Sequence, residues 1–128
     1  MATISSFQDL ECWKAGRAFR LFIRECTMSF PQEEKYSLTS QIIRSSRSVC
    51  DNLAEGFGRY HYQENTQFCR QARGSLNEAF NQCITALDEG YIDENKFKEA
   101  EKLFDKTLAL INGYINYLQR AKVELKTG

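Results

Sequence analysis

The last third of the chain carries apolar side chains at alternating steps of three and four residues. The members of this seam are Phe97, Ala100, Phe104, Thr107, Ile111, Tyr114, Leu118 and Ala121. Such spacing puts all of them on one side of an α-helix, and it is typical of helices that pack at shallow angles in bundles. No stretch of the chain long enough for a strand alternates apolar and polar residues, so we expect no β-sheet.

Three earlier segments show helical periodicity as well, and each ends at a residue that disfavours a helix. The four expected helices cover residues 7–29, 37–55, 63–89 and 94–122. Pro31 follows the first, and we expect Gly56 and Gly90 to end the second and third in the left-handed conformation. Four amphipathic helices with short connections predict an all-α fold, an antiparallel up-down-up-down four-helix bundle in one domain, residues 1–128.

Local signals refine these helices. The spacing of Ser6 and Asp9 predicts a capping pair for the first helix, and Asp93 is the expected N-cap of the fourth. Gly74 lies in the middle of the third helix, where glycine costs roughly 1 kcal/mol relative to alanine. We therefore expect Gly74 to admit a close approach between two helices.

Five cysteines lie on the apolar stripes of their helices. They are Cys12, Cys26, Cys50, Cys69 and Cys83. An odd number without a C-x-x-C pair fits neither a disulfide framework nor a zinc site, so we expect buried free thiols in a reduced, cytoplasmic protein. No apolar run approaches the roughly 18 residues of a membrane span, and residues 1–9 show no signal peptide, so no membrane association is expected.

Few residues in the chain could carry catalysis. His61 is the only histidine and lies in a predicted loop without a nearby acid at ligand spacing. The glycines at 56 and 58 follow a helix rather than a strand, and the Lys-Ser/Thr ending of a phosphate loop is missing. The Glu-x-x-His pairs of di-iron bundles are also missing. We expect no catalytic residues, no metal, no cofactor and no small-molecule substrate.

Arginines mark two faces of the predicted helices that carry almost no acids. The candidate nucleic-acid-binding residues are Trp13, Arg17, Arg20, Arg24, Arg70 and Arg73. A basic face with an aromatic residue is what a contact with a phosphate backbone needs. A solvated face or a subunit contact is the alternative interpretation. The net charge of 0 argues against coating nucleic acid by bulk charge, although it does not exclude a local basic patch.

The second helix combines arginines and acids on one face. This pattern predicts a balanced structural polar network rather than a catalytic site. Its members are Arg44, Arg47, Asp51, Glu55 and, from the third helix, Glu78. Because Arg44 and Glu55 are three turns apart, we expect Glu78 to connect them.

Apolar residues also occur outside the main stripes. Leu10, Leu21 and Met28 line a second side of the first helix, while Leu110 and Tyr117 broaden the fourth. A helix that is apolar on two sides must bury both, and a lone four-helix bundle buries only one. The sequence therefore predicts self-association through the outer sides of the first and fourth helices.

An ordered set of short motifs runs from Phe7 to Ala121. It begins with Phe7-Gln8-Asp9-Leu10, Trp13-Lys14, Phe30-Pro31, Glu34, Tyr36 and Leu38. Its most specific part is Gln41-Ile42, Arg44, Ser48-Val49, Asn52-Leu53-Ala54-Glu55-Gly56 and Gly58-Arg59. It ends with Phe68, Ala72, Gly74-Ser75-Leu76, Glu78 and Gly90-Tyr91-Ile92. With these motifs the chain resembles the four-helix-bundle proteins encoded in intervening sequences of bacterial 23S rRNA genes.

The resemblance implies a ring-like homopentamer of bundles. It also implies a similarity in fold to the accessory proteins of diversity-generating retroelements, which bind nucleic acid and a reverse transcriptase. Those relatives tend to be strongly basic and this chain is neutral, so the resemblance implies a fold more than an activity. We expect a non-enzymatic oligomeric binding module, associated with RNA or a nucleic-acid-processing protein. The alternative is a purely protein-binding scaffold whose arginines form subunit contacts.

Overall fold

Four α-helices make up most of the protein. The structure is a computed structural model that describes the backbone of residues 4–127 and the side chains of residues 4–121. The helices are α1 (Glu11–Cys26), α2 (Leu38–Phe57), α3 (Tyr62–Asp88) and α4 (Glu94–Thr127), and the described backbone contains no strand. Residues 1–3 and 128 lie outside the described residues. They include both ends of the expected domain and the start of the segment in which no signal peptide is expected.

Helices that follow one another in the chain also pack side by side, and α4 closes the ring against α1. Ser45 near the start of α2 donates a hydrogen bond of 2.6 Å to Gln82 near the end of α3. One turn later in α2, Ser48 accepts a 2.9 Å bond from Ser75, which lies earlier in α3. The partner's residue number in α3 therefore decreases as the residue number in α2 increases, which means that the two helices run in opposite directions. The prediction of an all-α bundle is confirmed, and α2 and α3 run antiparallel within it.

The core is built from the apolar stripes that the sequence predicts on all four helices. Its largest fully buried apolar side chains are Phe19, Ile23, Ile42, Val49, Leu53, Leu76, Ile111 and Leu118. Burying a side chain of this size stabilises the folded state by roughly 1.5–3 kcal/mol. Between α3 and α4, Phe80 stacks on Phe104 with 4.2 Å between ring centroids. Thr107 is fully buried too, and its hydroxyl donates to the Leu103 carbonyl at 2.7 Å, so the seam tolerates this polar residue.

The first helix is shorter than expected. A 3-10 turn at Phe7–Asp9 and another at Thr27–Ser29 flank α1, where the sequence predicts one helix over 7–29. Ser6 and Asp9 do form a capping box, but it caps the first 3-10 turn. Leu10 then adopts an extended conformation (ψ 127°) and is only 3% exposed. Burial of Leu10 in the core therefore outweighs the continuation of the helix.

The roles of two glycines differ from the prediction. Gly56 is helical rather than left-handed, and α2 continues to Phe57. A Cβ atom at Gly56 would lie 2.6 Å from Asn65 Oδ1 and 2.8 Å from Phe68 Cβ. Gly56 therefore allows α3 to approach α2. The expectation for Gly74 is wrong, because nothing lies within 4 Å of a Cβ built there.

The connection between α3 and α4 follows the sequence prediction closely. Gly90 is left-handed with φ 76°, and the N–H of Tyr91 donates back to the Ala86 carbonyl at 2.8 Å. Asp93 accepts a 2.8 Å bond from the Lys96 N–H and caps α4. α4 extends beyond the expected residue 122 to 127, since no proline or glycine interrupts the sequence there.

Alanine at Gly56 and at Gly74 should change stability in opposite directions. We expect Gly56→Ala to lower the free energy of unfolding by about 1–3 kcal/mol, because the added methyl overlaps Asn65 and Phe68. Gly74→Ala should raise it by about 0.5–1 kcal/mol, because the exposed helical site gains helix propensity without a clash. Chemical denaturation followed by circular dichroism measures both. A Gly74→Ala variant less stable than the parent would contradict the assignment of open space there.

Candidate nucleic-acid interface

Two grooves flank α2 on the outside of the bundle. The α1/α2 groove has a volume of about 660 Å³, and the α2/α3 groove about 570 Å³. The α1/α2 groove is lined by Arg24, Ser40, Ile43, Arg44, Arg47, Ser48 and Asp51. The α2/α3 groove is lined by Gln41, Arg44, Ser45, Ser48, Ser75, Glu78 and Gln82. Arg44 and Ser48 line both, so they form the ridge between the two grooves.

Serine side chains form much of the floor of these grooves. Ser45 is buried and bonds Gln82, while the Ser48 hydroxyl accepts from both Ser75 and Asn52 at 2.9 Å. Their short side chains leave space that longer residues on the same helix face would fill. The helix packing thus fixes the floor of the α2/α3 groove, and the longer charged side chains stand around it.

The α1/α2 groove concentrates positive charge. Arg24, Arg44 and Arg47 are all exposed, and they converge from two helices. Among the described side chains, the ion pairs within 4.0 Å are Lys14–Glu11, Arg59–Glu55 and Arg59–Glu64. None of the three groove arginines takes part in one, although Asp51 lines the same groove. Three guanidinium groups and one carboxylate thus line one volume, an excess of positive charge that can bind phosphate.

Arg17 and Arg20, the other candidate arginines of α1, act on α2 on the same side of the bundle. Burial raises the pKa of the Cys50 thiol to about 11, and the positive charge of the nearby Arg20 limits the rise. Arg20 therefore faces α2, and the charge of Arg17 also acts on Cys50. Trp13 does not face this groove in the same way. Its half-buried ring packs on the core and lies in a T-shaped arrangement with Phe7, with 5.4 Å between the ring centroids. Its environment favours a packing role over base stacking.

The arginines of α3 do not join this surface. Arg73 donates a 2.7 Å hydrogen bond to Asn112 of α4 and is half-buried, while Arg70 is exposed on the same helix. In the ring of four helices, the α3/α4 edge is opposite the α1/α2 edge. The structure thus separates the six predicted residues into two groups on different sides of the bundle.

The predicted polar network of α2 is not formed. Glu55 pairs with Arg59 at 2.7 Å, whereas Arg44 has its hydrogen bond with Ser40 at 3.5 Å. All five predicted members, Arg44, Arg47, Asp51, Glu55 and Glu78, are exposed. The physical reason is distance: eleven residues of helix separate Arg44 from Glu55 by about 16 Å along the axis. Glu78 instead faces Arg44 across the α2/α3 groove.

Sequence reasoning missed the residues that shape the grooves. Ser75 and Gln82 gave no indication of a site, because a polar residue on a predicted outer helix face looks solvated whatever surrounds it. The serines of α2 at 40 and 48, eight residues apart, were a faint indication, since this spacing puts both on one side of a helix. Gln82 becomes visible only through Ser45, 37 residues away in the chain.

The predicted burial of the thiols is confirmed. All five cysteines are buried and free, and burial is the main cause of their raised pKa values. These values are about 11 for Cys26 and Cys50 and about 12 for Cys12, Cys69 and Cys83. Protonated, buried thiols are poor nucleophiles and poor metal ligands. Over residues 4–121, no three His, Cys, Asp or Glu side chains are grouped closely enough to hold a metal ion.

The thiols make stability depend on alkaline pH. The pKa of a thiol is near 9.0 when unfolding exposes it and about 11–12 in the folded protein. Below pH 9 the thiol is protonated in both states, so its contribution to the free energy of unfolding is fully present there. Above pH 9 only the unfolded state ionises, and the free energy of unfolding should fall by up to about 1.4 kcal/mol per pH unit and thiol. Urea denaturation from pH 8 to about pH 11 measures the slope. Cys83→Ala should have a shallower slope than the parent, and an equal slope would contradict burial of that thiol.

Comparison with known proteins places the chain in a family. A family model described as 23S rRNA-intervening sequence protein matches residues 8–113. No curated protein matches the chain significantly. In the part of the chain that the structure describes, none of the helices is long and apolar enough to cross a membrane. The matched range includes both grooves and all four helices, the last in part. The chain therefore belongs to the 23S rRNA-intervening sequence protein family.

Proposed function

We propose that the protein is a non-enzymatic, cytoplasmic binding module that contacts the phosphate backbone of RNA through the α1/α2 groove. The observation that carries this proposal is the convergence of Arg24, Arg44 and Arg47 on one groove without an ion pair. Guanidinium groups bind phosphate oxygens in bidentate fashion. Ser40 and Ser48 add hydroxyl donors between them.

The chemistry around this groove supports binding rather than catalysis. His61 is exposed in the turn between α2 and α3, where its ring meets the edge of Tyr60 at 5.0 Å, and it is not among the residues that line either groove. The thiols are buried within the bundle. A neutral protein with one basic groove binds a limited length of backbone, so its affinity should depend on a few phosphate contacts.

Self-association would multiply this groove. Leu21 and Met28 of the first helical region are 50% and 79% exposed, and Tyr117 of α4 is 53% exposed. Leu10, in contrast, belongs to the core, so the second apolar side of α1 is smaller than the sequence suggested. We propose a homo-oligomer, a pentamer by the family resemblance, with the outer sides of α1 and α4 at the subunit contacts. Repeated weak sites strengthen binding when one RNA engages several of them.

The alternative function is a protein scaffold that uses the same arginines for subunit contacts. The exposure of Leu21 and Met28 favours it as much as it favours an RNA-binding oligomer. RNA binding at low salt separates the two, because phosphate contacts are strongest there. A protein that assembles but leaves RNA unbound at low salt is the scaffold.

Removing the groove arginines should weaken RNA binding. We expect the double variant Arg24→Ala, Arg47→Ala to lose at least about tenfold in affinity at low salt, because about two phosphate contacts disappear. The slope of log K against log salt should also become shallower by about 0.7 for each lost contact with single-stranded RNA. Fluorescence anisotropy at several salt concentrations measures both. Arg70→Ala, on the opposite side of the bundle, is the matched control, and an equal loss there would contradict the assignment.

Charge at Leu21 should dissociate the oligomer. A glutamate placed in a subunit contact is buried without a partner, so Leu21→Glu should yield monomers while the bundle stays folded. Light scattering at micromolar concentration gives the mass, and circular dichroism reports the fold. Tyr60→Glu, an equally drastic change in the exposed α2–α3 turn, should leave the mass unchanged. A parent protein that is monomeric under these conditions would refute the assembly.

A further inference from the structure

The α2/α3 groove has a different chemistry from its neighbour. It carries one arginine and one carboxylate, Arg44 and Glu78, together with the side-chain amides of Gln41 and Gln82. A phosphate would meet the Glu78 carboxylate here and be repelled. Mixed hydrogen-bond donors and acceptors around a polar floor suit a neutral ligand with its own donors and acceptors.

One side chain in this groove is oriented by the bundle itself. Gln82 Oε1 lies 2.6 Å from the buried Ser45 hydroxyl, a separation typical of O–H···O and short for N–H···O, so Ser45 donates and the amide oxygen accepts. The Gln82 amide group is then the donor that remains for a ligand. Glu78 contributes only acceptors, and no described side chain lies within ion-pair distance of its carboxylate. The groove therefore presents one oriented amide donor, that of Gln82, beside a carboxylate with two acceptor oxygens.

We propose that the α2/α3 groove reads a guanine base of the RNA strand whose backbone lies in the α1/α2 groove. This inference rests on the function proposed above. The two oxygens of Glu78 accept from guanine N1–H and from the N2 amino group, which are adjacent donors on the Watson–Crick edge. The amide of Gln82 donates to O6 on the same edge, and Arg44 stands beside it. Proteins commonly read unpaired RNA bases through this edge.

The other bases fit this set of groups less well. Adenine and cytosine each present a ring-nitrogen acceptor at the centre of the same edge, which would face the carboxylate of Glu78. Uracil has a single donor there, so one carboxylate oxygen stays unpaired. The expected order is guanine, then uracil, then adenine and cytosine.

The ridge between the grooves permits one strand to use both. Arg44 and Ser48 line both grooves, and Ser48 is short and bonded to Ser75 and Asn52. A strand that crosses α2 at Ser48 can therefore leave its phosphates beside Arg24 and Arg47 while a base turns into the next groove. This requires a single-stranded segment, because a paired base has its Watson–Crick edge occupied.

Atomic changes in one base test the inference. The probes are short, uridine-rich RNAs with a single central guanosine, inosine or 7-deazaguanosine, measured by fluorescence anisotropy with the full-length protein. Inosine lacks the N2 amino group, so its affinity should be about tenfold lower than that of guanosine. The 7-deaza change alters only the opposite edge and should have no effect. Equal affinity for guanosine and inosine, with RNA bound, would overturn the inference and leave the proposed function standing.

Variants of the carboxylate give a second and independent measurement. Glu78→Gln should reduce the difference between guanosine and inosine, because the amide has one acceptor oxygen where the carboxylate has two. It should bind uridine-only RNA at least as tightly as the parent, because a negative charge is removed. Glu101→Gln, at an exposed position of α4 that lines neither groove, removes the same charge and should preserve the difference. A guanosine preference as large in Glu78→Gln as in the parent overturns the assignment of the base site. A parent protein that binds none of these RNAs at low salt overturns both proposals.

Discussion

The close approach of α2 to α3 is the constraint on which the rest of the structure depends. Gly56 admits Asn65 and Phe68 of α3 at distances that no Cβ atom would permit. Further along the same pair of helices, Ser45 meets Gln82 and Ser48 meets Ser75. Small residues let the two backbones come near, and hydrogen bonds rather than apolar side chains fill the outer part of the contact.

The same approach produces the surface chemistry. Short polar residues hold α2 close to α3. Because these residues are short, a groove and not a layer of packed side chains lies over the contact between the two helices. On the other side of α2, Arg24 reaches from α1 toward Arg44 and Arg47. Two neighbouring grooves with different charge thus arise from one helix, and the floor of each is set by helix packing rather than by a loop.

The fold could be predicted from the sequence because its signals are periodic and local. The apolar stripes located all four helices, and Gly90 and Asp93 fixed the connection between α3 and α4 to the residue. Local signals were insufficient wherever a contact between helices determined the environment of a residue. The sequence predicted a helix end at Gly56 and a close helix contact at Gly74, yet Gly56 admits α3 and Gly74 faces open space. The candidate site depended on such contacts, so the sequence found Arg24 but not the groove that it shares with Arg44.

Arg44 borders both grooves, and this has a thermodynamic consequence. A guanidinium group that turns toward one groove is withdrawn from the other, so the two grooves cannot be occupied as independent sites. The free energies of occupying them are then not additive, and linkage requires that the effect of the first ligand on the second equals the reverse effect. A single exposed side chain on the ridge of α2 would thereby give a small rigid bundle, built without any moving domain, a means of making one binding event depend on another.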